Sequence, residues 1–230
     1  MKLLLLAAGI TSMTSAFERG DLDEAARQGA LAGPAVVEHA LAAKARTTKL
    51  AAIAAAPITE DRAELLVDLA DVAASPDRRV AIPAARAARA IAQQLAHHNL
   101  PDDLVAEDLD AWRARYLSIA TNADHVIEVR LACLDTAQAL GGFALAPLLG
   151  DPDPLVRAEA IDLQPRPTDP SLRAELAQTV ARDADPQVAL AAARLLCADD
   201  PAAATAALGS AGAARLAKLP RDRDTAHCLR

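Results

Sequence analysis

Five blocks along this chain repeat one spacing: a short polar turn, an apolar anchor, a small residue four positions on, and usually another small or apolar residue three beyond that. The anchors are Leu50, Val80, Val129, Val156 and Val188. Their partners at i+4 are Ala54, Ala84, Cys133, Ala160 and Ala192, and the i+7 positions hold Pro57, Ala87, Thr136, Leu163 and Leu195. Positions i, i+4 and i+7 share one helix face, so each block predicts an inner helix with a narrow apolar stripe. A single helix pair cannot bury such a stripe, and the repetition therefore constrains the chain to stack one pair on the next. The anchors are 30, 49, 27 and 32 residues apart, the length of a two-helix unit except in one place. There, between Leu100 and Ala120, a longer outer helix is expected.

Composition agrees with helix throughout. Of the 230 residues 53% are hydrophobic and 24% charged, enough to bury a substantial core, yet only 2% are aromatic. Alanine dominates nearly every segment. It has the best helix propensity, whereas strands favour β-branched and aromatic side chains.

Helix starts are punctuated by Asp-Pro at Asp151-Pro152, Asp153-Pro154, Asp169-Pro170, Asp185-Pro186 and Asp200-Pro201. Such an Asp can accept hydrogen bonds from the free N–H groups of the first turn, and Pro at the first helical position has no N–H to leave unsatisfied. Ser75-Pro76 fits the same scheme, with Thr59-Glu60-Asp61 and Asp124 as expected caps lacking Pro. Gly141-Gly142 and Pro165-Arg166-Pro167 mark breaks between pairs.

On these residues the chain resembles the HEAT-repeat family. The segment Leu148-Leu149-Gly150-Asp151-Pro152-Asp153-Pro154-Leu155-Val156-Arg157-Ala158-Glu159-Ala160-Ile161 is similar to the turn and inner helix of a HEAT repeat. Asp183 to Leu196 repeats it with Ala189 in place of Arg, and Glu128-Val129-Arg130 matches the Val-Arg step. The resemblance implies an all-α fold, an α-solenoid of about five to six HEAT-like antiparallel helix pairs. The repeats would occupy residues 34–200, with a capping segment at 17–33 and a capping helix and tail at 201–230. Tetratricopeptide repeats fit less well, because they place Trp, Tyr and Phe where this chain has none. The family includes scaffolds, transport adaptors, pigment-lyase subunits and some DNA-repair enzymes, so the resemblance implies a fold more than an activity.

Met1-Lys2, the uncharged run Leu3 to Ile10 and the small residues Thr14-Ser15-Ala16 read as a secretory signal peptide over 1–16, with cleavage after Ala16. The other reading of this run is a first helix of the array. Export would place the protein in the periplasm or outside the cell; without it the chain is cytoplasmic. No later segment approaches the roughly 20 apolar residues that span a bilayer, so no membrane span is expected. The net charge of -7 opposes phosphate backbones and excludes nucleic acid as the expected partner, a local basic groove aside.

The chemistry-bearing residues are few. His97-His98 beside Asp102 and Asp103 offers metal ligands, but adjacent helical residues diverge by about 100° and Asn99 and Pro101 mark a helix end. No His-Glu-x-x-His, Cys-x-x-Cys, glycine-rich phosphate loop or nucleophile elbow occurs, so neither catalytic residues nor a metal or cofactor is expected. Trp112 and Tyr116, four apart on one face, are either a partner anchor or the filling of an irregular repeat. Asp108, in the acidic run Asp102 to Asp110, either lies on a solvated face or meets a basic partner. Cys133 occupies a small-residue position. Cys197 and Cys228 could staple the tail to the last inner helix in an oxidising compartment, contributing about 3–4 kcal/mol for a loop of about 30 residues. The expectation is a non-catalytic scaffold or adaptor for a protein partner. The alternative is a cytoplasmic HEAT-like enzyme or lyase-type subunit acting on a bound macromolecule or pigment.

Overall fold

The computed structural model describes residues 2–97, 106–167, 169–198, 200–220 and 225. All regular structure among them is helical. The chain divides into two compact units, Met1–Gly142 and Phe143–Arg230. The division falls inside the span 34–200.

The first unit contains α1 (Lys2–Glu18), α2 (Leu22–Ala32), α3 (Pro34–Leu41), α4 (Arg46–Ala55), α5 (Leu65–Ala73), α6 (Arg78–His97), α7 (Ala106–Thr121) and α8 (Ile127–Ala139). Within it α2 packs on α4, α4 on α6 and α6 on α8, while α1, α3, α5 and α7 each pack on the helix that follows. The span from Leu100 to Ala120, where a longer outer helix is expected, holds most of α7, which at 16 residues is shorter than α6 with 20. Gly29 sits where α1, α2 and α4 converge. A Cβ there would lie 2.3 Å from the Ala55 Cβ and 2.8 Å from the Met13 Sδ, so only glycine permits this approach.

The second unit contains α9 (Pro154–Asp162), α10 (Pro170–Arg182), α11 (Pro186–Cys197) and α12 (Pro201–Leu216), the last kinked at Gly209, whose φ is 56°. Here α11 packs on α9, α10 and α12. Asp153, Asp169, Asp185 and Asp200 cap the four helices through their side chains, each followed by Pro. Asp151-Pro152 starts no helix. Instead Asp151 accepts the N–H of Asp153 at 2.9 Å.

A two-step ladder of hydrogen bonds precedes three of the predicted anchors. Before Val156, Asp151 accepts from Asp153 N–H and Asp153 from Leu155 N–H. Before Val188, Asp183 accepts from Asp185 N–H and Asp185 from Gln187 N–H. Before Val80, Ser75 accepts from Asp77 N–H and Asp77 from Arg79 N–H. The acceptors stand five and three residues ahead of the buried valine each time, so these blocks share a local geometry as well as a pattern. Ser75 therefore orients the true cap, Asp77.

Other expected details differ. On α4 the buried face is Thr48, Ala51, Ala52 and Ala55, whereas Leu50 and Ala54 are half-buried, so the anchor placed at Leu50 is out of register. Thr59 caps nothing; it is buried and its hydroxyl donates to the Ala55 carbonyl at 2.9 Å. Asp124 caps nothing either, since its N–H donates to the Asn122 side chain and α8 starts after Val126. Pro83 lies inside α6, where it supplies no N–H to the Arg79 carbonyl, yet the helix runs on to His97.

Candidate interaction surface

The helix row α4, α6 and α8 has one face in the core and one in solvent. On α6 the core face is Val80, Ala81, Ala84, Ala85, Ala87, Ala88, Ile91, Ala92 and Leu95. The opposite face carries Arg79, Ile82, Pro83, Arg86, Arg89 and Gln93, all exposed or half-buried. On α8 the corresponding residues are Glu128, Leu131, Asp135 and Gln138, and on α4 they are Arg46, Leu50 and Ala54. Two ion pairs lie at this face: Arg89 to Asp135 at 3.0 Å and Arg46 to Asp77 at 3.7 Å. Arg79 and Arg86 are exposed and have no ion-pair partner among the described residues.

The aromatic pair singled out by sequence does not form a surface. Tyr116 is fully buried, and its hydroxyl donates to the Leu66 carbonyl at 2.6 Å, tying α7 to α5. Desolvation holds its pKa well above the ordinary phenol value, so it is a neutral core residue and offers nothing to a partner. Trp112 is half-buried one turn earlier. Asp108 is exposed in the first turn of α7, near Asp110, which pairs with Arg113 at 2.7 Å. Arg115 pairs with Asp71 of α5. Asp102 and Asp103 lie outside the described residues.

Cys133 is a free, buried thiol whose pKa is pushed up to about 12 by burial, which makes it a poor nucleophile. Cys197 is disulfide-bonded. Cys228 lies outside the described residues, as does His98. Among the described residues no group of three His, Cys, Asp or Glu side chains is placed to hold a metal ion, and no helix is long and apolar enough to cross a membrane.

No family model, no curated protein and no solved structure matches this chain. The residues that the geometry brings forward are thus the arginines of α6. Sequence reasoning passed over them because it weighed charge over the whole chain. The signal was present: four arginines and no carboxylate in one helix of a net-acidic protein, with Arg79, Arg86 and Gln93 seven apart.

Grooves lie elsewhere among the described residues as well. One of about 450 Å³ in the second unit is lined by Leu149, Glu175, Gln178, Thr179, Arg182 and Asp183. Another, about 690 Å³ and mostly apolar, runs beside the first half of α1, where Leu4 and Leu5 are exposed together with Leu31 of α2. The second half of α1 is different, with Met13 and Ala16 buried.

Proposed function

We propose that this protein is a non-catalytic scaffold for a protein partner, an α-solenoid of HEAT-like helix pairs, exported to the periplasm or beyond. The observation that carries the reading is the solvent face of α4, α6 and α8. Half-buried apolar residues, Leu50, Ile82 and Leu131, alternate there with arginines and carboxylates, the mixture found where protein surfaces meet. Three blocks sharing one local geometry ahead of Val80, Val156 and Val188 support the repeat reading.

Two observations support export. Disulfides such as that of Cys197 persist in oxidising compartments, and the Leu-rich start of α1 leaves Leu4 and Leu5 unburied, as a leader removed later would. Burial of Met13 and Ala16 favours a second outcome, in which α1 is retained as part of the first unit and the chain stays in the cytoplasm. Cleavage after Ala16 removes Met13 from its seat against Gly29 and opens the seam between α2 and α4.

Affinity capture of the C-terminally tagged full-length protein from its native cells, with mass spectrometry of the bait's N-terminus and the co-purifying chains, tests both parts. A bait beginning at Phe17 with a stoichiometric envelope protein is the expected result. A bait retaining Leu3 to Ile10 and enriched with a pigment, small molecule or nucleic acid sinks the reading.

A further inference from the structure

Charge on the α6 face is unevenly compensated. Arg89 is neutralised by Asp135 of α8 and Arg46 by Asp77, but Arg79, in the first turn of α6, and Arg86, near its middle, meet no carboxylate among the described residues. In a chain of net charge -7 there is no shortage of acid to pair them. Seven residues separate the two, so their side chains stand on nearly the same line of the helix, about 10 Å apart at 1.5 Å rise per residue. Between them Ile82 and Pro83 lie half-buried, a small apolar floor framed by two guanidinium groups.

We propose that the Arg79–Arg86 row on α6 is the docking site for an acidic amphipathic helix of the partner protein. Two carboxylates, two turns apart on that helix, meet the two guanidinium groups, and an apolar side chain between them covers Ile82 and Pro83. This inference rests on the scaffold reading and deepens it by naming the partner's chemistry. Guanidinium groups suit the role because their planar fork holds a carboxylate through two parallel hydrogen bonds. A helix matches the spacing without strain, since its own i and i+7 positions repeat at the same interval. Nucleic acid is the weaker occupant, because affinity for phosphate backbones grows with the number of cations engaged and this row offers two on an acidic body.

The test is a displayed library of helical peptides panned against the immobilised full-length protein and against the double variant R79E/R86E, with a single-stranded oligonucleotide measured in parallel. Both arginines are exposed, and unchanged melting of the variant verifies that it folds. The expected result is enrichment of peptides with Asp or Glu seven residues apart, binding the wild type at least about tenfold more tightly than the variant and weakening as salt rises. Enriched peptides that lack paired acids, or that bind the variant equally, overturn the acidic-helix site while leaving a protein scaffold standing. Tighter binding of the oligonucleotide than of any peptide overturns it in favour of nucleic acid. No enrichment on either protein overturns the inference and the scaffold reading together.

Discussion

Arg157 of α9 grips Asp183, just beyond α10, with two parallel bonds: its Nε and Nη2 donate to the two carboxylate oxygens at 2.9 Å each. The same guanidinium donates through Nη1 to the Asp151 carbonyl at 2.7 Å, and Arg215 of α12 donates to the Asp183 carbonyl at 3.3 Å. Asp183 also orients the cap of α11 by accepting from Asp185 N–H. Arg157 therefore links the turn before its own helix to the turn before α11, and hydrogen bonding to Asp183 raises its already high pKa.

Only 14% of the Arg157 side chain and 11% of that of Asp183 are exposed, so removing the cation strands a nearly buried carboxylate. Arg157→Ala is expected to destabilise the second unit by about 1.5–3 kcal/mol, lowering its melting temperature by several degrees. Arg157→Lys is expected to recover part of the loss, because an ammonium cannot reproduce the two-pronged geometry. A wild-type melting curve for Arg157→Ala contradicts the role given to this pair.

Tyr116→Phe keeps the ring and removes one hydrogen bond, to a carbonyl already inside α5. A loss of about 1 kcal/mol is expected. Tyr116→Ala removes the ring as well and should cost about 3–5 kcal/mol. Were Tyr116 a partner anchor, both variants would melt normally and lose binding instead.

Helix starts were legible in the sequence where chemistry contrasts sharply along the chain. Asp-Pro pairs fix helix starts because cap and missing N–H act within one turn, and Val80, Val156 and Val188 stand out among alanines. Around Leu50 the contrast fails. Leu50 to Ala56 is apolar at every position, so periodicity cannot choose a face, and the choice is made by α2, α3 and α6 packing against α4. The ion-pair partners that leave Arg79 and Arg86 alone come from α8 and from the turn before α6, which one-dimensional charge counting does not bring together. Tyr116 was open between surface and core because its acceptor, Leu66, is fifty residues away.

Asp68 carries a pH signature. Its pKa is raised, first by burial and then by the charge of Glu38, with Arg115 pulling the other way. A raised folded-state pKa favours the protonated acid, so this contribution to stability is present below the unfolded value and lost as pH rises through the folded one. Asp68→Asn is therefore expected to melt above the wild type near neutral pH, with the gap closing toward about pH 3. A variant less stable at neutral pH contradicts the assignment.

The cysteines can be read by alkylation. Cys133, buried and with its pKa pushed up to about 12, should resist iodoacetamide in the folded protein at mildly alkaline pH. Denatured without reductant, the chain should take one adduct, at Cys133, and after reduction all three of its cysteines should react. More than one adduct without reductant contradicts the disulfide at Cys197.

The most direct measurement of the central claim, that the solvent face of α4, α6 and α8 holds a protein, is hydrogen–deuterium exchange on the captured complex against the free chain. Slower exchange is expected in the peptides covering Arg79 to Gln93 and Glu128 to Gln138, with α10 and α12 unchanged. Protection confined to α10 and α12, or none anywhere, would contradict it.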